Sequence, residues 1–256
     1  MSAIDASTGV YGDELIDVYD LLYANLPDVH QLPPFLAEIV PSAKNVLEFG
    51  IGTGRLAAPL ARAGYEVSGI ESSAKMLDIL KERTNHLSVT GHRGDFRGAV
   101  VDGRYDIVLI ATNTLFMLSG IDEQGKALAQ AATQLQPGGR LVVETYDPFI
   151  YQRQTEPSSL TIPLDATTLL TSTTIVNRLE NRVTVLRSVT SPNKVKSFPE
   201  ESYWLAPREL TLVAERAGLF LVSRYADFAQ SPVAEHTTSL VSVFRRADDP
   251  GTQQER

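Results

Sequence analysis

Val46-Leu47-Glu48-Phe49-Gly50-Ile51-Gly52-Thr53-Gly54-Arg55 reads as a short apolar strand that runs into a glycine turn and opens a helix. Glycines are needed there because the chain turns sharply and its backbone must come close to a ligand, where a Cβ would collide. A ligand therefore belongs at this turn. Dinucleotide-binding folds use such a turn in the spacing G-x-G-x-x-G, and Gly50, Gly52 and Gly54 fail the last step of that spacing. Two carboxylates add to the pattern. Glu48, two positions before the first glycine, suits a ligand with an ammonium group and sits badly beside a pyrophosphate. Glu71 ends the next predicted strand, where a carboxylate accepts hydrogen bonds from both hydroxyls of a ribose.

Outward from this turn, β-rich runs alternate with helical patterns, the sign of βαβ units and a parallel sheet. The pattern predicts strands over Asn45 to Phe49, Glu66 to Glu71, Leu87 to Thr90, Tyr105 to Ala111 and Arg140 to Thr145. The fourth, with Ile107, Val108, Leu109 and Ile110 in a row, is apolar on both faces as a central parallel strand is. Helices are predicted over Thr53 to Ala63, closed by Gly64, over Ser73 to Arg83, and over Glu123 to Leu135, closed by Pro137-Gly138-Gly139. Pro59 lies inside the first of these and is expected to bend it.

From Ser158 to Leu205 the chain turns Thr-, Val- and Ser-rich with period-two stretches at Thr168 to Asn177 and Arg182 to Val189, split by Leu179-Glu180-Asn181. These read as antiparallel hairpins. Pro207 to Ala217 then forms a helix with proline in its first turn and Gly218 after its end. Strands over Leu219 to Tyr225 and Thr238 to Arg245 complete the sheet, and the polar tail after Arg246 is expected to fray. The fold expected is α/β: a Rossmann-like, seven-stranded, mostly parallel sheet with helices on both faces, plus a small antiparallel β insert. Residues 1–150 and 206–246 make the main domain and its N-terminal helical cover, and residues 151–205 the insert. The insert reads as a lid over the acceptor, as an oligomer contact or as a plain extension, which leaves a homodimer open.

Composition narrows the function. With 43% hydrophobic and 21% charged residues in 256, the chain has the usage of a globular protein. No apolar run approaches the roughly 18 to 20 residues that span a bilayer, and the start lacks a signal-peptide pattern, so a cytoplasmic protein without a membrane partner is expected. A net charge of −8 with no Lys/Arg cluster argues against nucleic acid as a partner. Zero cysteines exclude thiolate nucleophiles and Cys-ligated clusters. His30, His86, His92 and His236 show no metal-ligand spacing, so no metal is expected.

With these features the chain resembles the class I S-adenosylmethionine-dependent methyltransferases. The resemblance rests on Glu48 with Gly50, Gly52 and Gly54, on Glu71-Ser72-Ser73, on Gly94-Asp95-Phe96 and on Gln136-Pro137-Gly138-Gly139, in that order over Asn45 to Glu144. A fainter similarity to small-molecule members, natural-product and amino-sugar N-methyltransferases among them, covers Tyr11-Gly12-Asp13…Tyr19-Asp20 and Tyr203-Trp204-Leu205…Glu209-Leu210. The resemblance implies S-adenosylmethionine as cofactor, with the backbone at Gly50 and Gly52 meeting its methionine end. It implies Glu71 on the ribose, Asp95 on the adenine amino group, the Phe96 backbone N–H on the ring, and Met76 and Ser72 packing nearby. Ile51, Gly54 and Arg55 are counted with the turn, and Tyr19 with the cofactor site. Thr112 and Asn113 follow the fourth strand in the switch-point crevice where such sheets bind ligands.

The expected acceptor is a small molecule, methylated on an amine or a hydroxyl, with antibiotic biosynthesis as the setting. Nucleic-acid amino methyltransferases carry Asn/Asp-Pro-Pro-aromatic after the fourth strand, and this chain reads Ala111-Thr112-Asn113-Thr114-Leu115-Phe116. Methyl transfer needs alignment more than proton transfer. Tyr11 and Tyr19 are therefore read as positioning residues; the tyrosines also fit an amphipathic helix packed on the sheet. A hydroxyl acceptor would need a base, for which His30, His236 or a tyrosine acting through water are candidates. The rival readings are a nicotinamide-dependent Rossmann oxidoreductase and a non-catalytic cofactor-binding module.

Overall fold

The computed structural model describes residues 13, 16, 19–23 and 26–249. Tyr11 lies outside the described residues, as does the tail from residue 250 on. Helices α1 (Tyr19–Tyr23) and α2 (Asp28–Ile39) precede the sheet. Strands β1 (Asn45–Phe49), β2 (Glu66–Glu71), β3 (Val89–Arg93), β4 (Tyr105–Ile110) and β5 (Leu135–Tyr146) alternate with α3 (Ala57–Arg62), α4 (Ala74–Thr84) and α5 (Ile121–Gln134). After α6 (Phe149–Gln152) come β6 (Ser158–Pro163), β7 (Leu169–Asn177), β8 (Arg182–Ser191) and β9 (Lys194–Tyr203). Then α7 (Pro207–Arg216), β10 (Leu219–Tyr225) and β11 (Ser239–Arg246) close the chain.

The seven-stranded sheet has the order β10-β11-β5-β4-β1-β2-β3, and the insert forms its own four-stranded antiparallel sheet, β6-β7-β8-β9. β11 pairs antiparallel with both β5 and β10, while β3, β2, β1, β4 and β5 run parallel. The expected architecture is therefore observed. The order reverses between β1 and β4, so the crevice above their C-terminal ends is the place for a ligand.

The central strands bury both faces. Leu47, Phe49, Val108 and Ile110 face one core with α5 and α7, and Val46, Ile107 and Leu109 face the other with α2 and α3. Each such side chain contributes about 1.5 to 3 kcal/mol by leaving water, which makes β1 and β4 a stiff platform for the turn between β1 and α3.

Several boundaries differ from the sequence reading. α3 begins at Ala57, so Pro59 falls in its first turn, where a missing N–H is tolerated and no bend is required. β3 starts two residues later and ends three later than expected because its register is set by β2, from Val67 opposite Val89 to Glu71 opposite Arg93. β5 pairs from Leu135, opposite Tyr105, and resumes at Arg140 opposite Ile107, with the Pro-Gly-Gly stretch bulged out between. A Cβ on Gly139 would lie 3.0 Å from the carbonyl oxygens of Tyr105 and Asp106. Past Arg246 the chain is tied down as far as Asp249, whose Oδ1 accepts the Gly138 N–H at 2.8 Å. That bond caps the bulge.

Local bonds set the starts of two helices. Ser73 caps α4, its hydroxyl accepting the Met76 N–H at 3.2 Å. Pro207 opens α7, and Glu209 reaches back to accept the Ala206 N–H at 2.7 Å. Among the described residues no helix is long and apolar enough to cross a membrane.

Candidate active site

Gly50, Gly52 and Gly54 all have positive φ, at 74°, 55° and 80°. Only the first two face the cavity above the switch point. A Cβ on Gly50 would sit 2.7 Å from the Thr114 methyl, and one on Gly54 would sit 2.4 Å from Leu80 Cδ1. Ile51 points down and fills the space above Gly69, where a Cβ would lie 2.4 Å from it. Ile51 and Gly54 thus shape the turn from beneath.

Around the open glycines stand Glu71, Ser72, Met76 and Phe96 on one side and Tyr19, Tyr23, Thr112, Thr114 and Met117 on the other. Glu71 is anchored: Oε2 accepts the Gly52 N–H at 3.1 Å and Oε1 the Ser73 N–H at 2.8 Å. Burial pushes its carboxyl above the ordinary range, and these backbone donors pull against that. Phe96 stacks on Phe49 with ring centroids 5.4 Å apart. Its neighbour Asp95 turns away from the cavity and meets Arg97 at 2.5 Å, and Arg97 in turn pairs with Glu123.

A buried charge cluster lies behind the turn. Glu48 is 4% exposed and its Oε2 has no hydrogen-bond partner among the described residues. Desolvation, together with Asp28 and Glu71, raises its pKa to about 8 against the pull of Arg55. Arg55 holds Asp28 with two nitrogens, donates to Thr112 Oγ1 at 2.9 Å, and lies 5.6 Å from the Tyr23 ring centre. Thr112 and Asn113 adopt left-handed φ values of 53° and 62°, which non-glycine residues rarely do. Two bonds hold them there: Glu144 Oε2 accepts the Thr112 N–H at 2.8 Å, and Asn113 Oδ1 accepts the Tyr146 N–H at 2.5 Å. Thr112 therefore reaches the cavity while the Asn113 side chain is spent on β5.

The Tyr19 and Tyr23 rings lie 4.8 Å apart, tilted at 54°, and both line the cavity, so α1 covers it. A Cβ added to Gly52 would lie 3.8 Å from the Tyr19 hydroxyl. Burial drives the Tyr19 hydroxyl well above its usual pKa, so it stays protonated. His30 and His236 are exposed and neither lines the cavity. Tyr23, Thr114 and Met117 were not singled out as cofactor-site residues, nor were Asp28 and Glu144 behind them. Thr114 and Met117 lie just beyond Thr112-Asn113, and that proximity was the one available signal.

The parallel sheet, its glycine turn and the carboxylate at the tip of β2 define a Rossmann-like enzyme with a ligand cavity at the switch point. Sequence similarity makes this specific. Residues 46–139 match the family described as methyltransferase domain. The CcbJ methyltransferase from Streptomyces caelestis is 35% identical, with a TM-score of 0.86 over 95% of this chain and 100% of that one. The cypemycin N-terminal methyltransferase of a Streptomyces species is 28% identical over 93% of this chain and 98% of its own. SAM-bound CalS10, an amino pentose methyltransferase from Micromonospora echinaspora, shares the fold at TM-score 0.71 and 19% identity. The chain belongs to the S-adenosylmethionine-dependent methyltransferases. The oxidoreductase reading finds no support.

The residues present fit that cofactor. Gly50 and Gly52 leave backbone open where a side chain would intrude, and the Glu48 oxygen, unpaired among the described residues, lacks the kind of donor that an ammonium group supplies. Glu71, Met76 and Phe96 provide a carboxylate and an apolar slot on the far side.

Proposed function

We propose that this enzyme methylates an amine of a small molecule in natural-product assembly. The carrying observation is that the described cavity wall offers no general base. Its titratable groups are Tyr19, Tyr23 and Glu71; Tyr19 stays protonated, and Glu71 is held by the Gly52 and Ser73 N–H groups. A hydroxyl acceptor requires a base within hydrogen-bond reach, and a neutral amine does not. When bound, S-adenosylmethionine supplies a methyl group on a positively charged sulfur. The amine brings its own lone pair, the N–C bond forms as the methyl leaves sulfur, and the surplus proton goes to water.

In this reading Gly50 and Gly52 seat the methionine end of the cofactor, Glu48 faces its ammonium, Glu71 holds the ribose, and Met76 with Phe96 flanks the adenine. Asp95 takes the adenine amino group if it gives up Arg97. Arg55 fixes the turn from behind, and Thr112 borders the reacting centre. Tyr19, with Tyr11 from the segment before it, positions the acceptor. Residues 1–150 and 206–246 form the catalytic unit, and 151–205 its cover on the acceptor side. The packing of Phe198 from β9 against Tyr19 and Leu22 supports the cover.

The test is a pH-rate profile with an amine acceptor on wild type, Tyr19→Phe, His30→Ala and His236→Ala. Tyr19→Phe should lose about tenfold to a hundredfold, the range for a misplaced reactant. The histidine variants should match wild type, and the profile should follow the acceptor's own ionisation. A loss near a thousandfold in either histidine variant, within the general-base range, would overturn the reading.

A further inference from the structure

Strand β9 spans from one wall of the site to the other. Its alternate residues Phe198, Glu200 and Ser202 share the inner face of the insert. Phe198 packs on Tyr19 and Leu22 of α1, which covers the cofactor cavity, and Ser202 Oγ lies 2.9 Å from the hydroxyl of Tyr146 at the end of β5. Between these anchors β9 packs on the 3-10 turn Thr114–Met117, whose two end residues line the cavity. Glu200, midway between the two contacts, therefore faces the space between α1 and the end of β5.

The strands of the insert carry two carboxylates, Glu200 and Glu201, and they differ. Glu201, on the outer face, uses both oxygens: Oε1 accepts from Arg182 at 2.7 Å and Oε2 from the Tyr203 hydroxyl at 3.2 Å. Glu200 uses one. Its Oε2 accepts from Arg187 Nε at 2.7 Å, Arg187 is steadied by Ser172 Oγ at 3.3 Å, and among the described residues Oε1 accepts no hydrogen bond. Tyr151 stands beside this pair, its ring 5.1 Å from that of Tyr146 and its hydroxyl in the field of both Glu200 and Arg187. Burial raises its pKa, so the hydroxyl keeps its proton, and among the described residues it too has no hydrogen-bond partner. A molecule that displaces water from this space has to replace the bonds that water made, because a polar group left unsatisfied costs more than a satisfied one returns.

We infer that Glu200 and Tyr151 are positioning residues for the acceptor, binding a polar donor group of it, an amide N–H or a hydroxyl, remote from the atom that receives the methyl group. The inference rests on the insert being the cover on the acceptor side, as proposed above. Its consequence is a substrate class. The acceptor is a molecule with several polar groups, and a simple alkylamine, with nothing to offer this anchor, is a poor one. Arg187 orients the carboxylate so that Oε1 is the oxygen presented.

Steady-state kinetics on the full chain tests it. The probes are a dipeptide amide with a free N-terminus, the methyl glycoside of an amino sugar, and n-butylamine, which has no second donor; each is offered also with a hydroxyl in place of its amine. Wild type should use a polar probe with kcat/KM about a hundredfold above that for butylamine, the worth of one charged and one neutral hydrogen bond. On that probe Glu200→Gln and Tyr151→Phe should raise KM about tenfold with kcat changed less. Glu201→Gln breaks the matched pair on the outer face, where the carboxylate is equally buried, and should keep the wild-type KM. All three variants should keep the thermal shift with S-adenosylhomocysteine. Equal use of butylamine, no use of any polar probe, a wild-type KM in Glu200→Gln, or an equal rise in Glu201→Gln overturns the inference. Phe198→Ala, which frees the cover from α1, separates it from the reading beneath. A raised KM there with none in Glu200→Gln overturns the anchor and leaves the cover standing, and a wild-type KM in both overturns the cover as well. Use of the hydroxyl probes alone ends the amine reading, and the same comparisons made on them decide the anchor.

Discussion

Arg55 grips Asp28 with both terminal guanidinium nitrogens, at 2.6 and 2.7 Å, although 27 positions separate them in the chain. The pair ties α2 to the glycine turn, with side chains only 9% and 7% exposed. Arg55→Met would leave Asp28 buried without its partner, beside Glu48. Breaking a buried pair in this way costs about 3 to 5 kcal/mol, or roughly 6 to 20 °C in melting temperature for a chain of this size. A melting temperature within 2 °C of wild type, on the scale of about 2 to 4 °C per kcal/mol, would show that the pair contributes little.

S-Adenosylhomocysteine at a hundred times its dissociation constant should stabilise the protein by about 2.7 kcal/mol, a shift of roughly 5 to 10 °C, and NAD should give none. Glu71→Ala removes a charged acceptor whose hydrogen bonds are worth about 1.5 to 3 kcal/mol. Its affinity for S-adenosylhomocysteine, read by calorimetry, should drop about tenfold to a hundredfold. Unchanged affinity would place the ribose elsewhere.

Two glycines with positive φ separate backbone strain from contact at the site. Gly64 has nothing within 4 Å of an added Cβ, whereas at Gly50 the Thr114 methyl would be 2.7 Å away. Gly64→Ala should cost only the strain of its backbone conformation, about 1 to 3 kcal/mol, and keep the thermal shift with S-adenosylhomocysteine. Gly50→Ala should cost more and lose that shift. If both variants keep it, the turn is not the cradle.

The buried Glu48 carboxyl makes stability depend on pH in a definite direction. Its folded pKa, about 8, lies above the ordinary value of 4.5, so folding takes up a proton between those pH values. The contribution to stability is complete below about 4.5 and is lost as the pH rises through about 8. Glu48→Gln keeps the shape and cannot ionise. Its melting temperature relative to wild type should therefore climb across that window, and parallel curves from pH 5 to 9, which spans the expected titration, would contradict the assignment.

The sequence by itself determined the seven-strand plan, the glycine turn and the antiparallel strands of the insert, because each is written in short-range pattern: period two, apolar runs, glycine where φ must be positive. It determined the site as far as Glu71, Ser72 and Met76, which follow the turn by one βα unit. Only the tertiary structure decided which side chains meet across it. Asp28 answers Arg55, Tyr19 reaches Gly52, Thr114 backs Gly50, and Glu144 holds Thr112 in its left-handed turn. These are contacts of position and charge between elements, and local periodicity carries no information about them. Even the strand ends followed this division: β3 starts two residues later because hydrogen bonds to β2, rather than its own residue preferences, set where pairing begins.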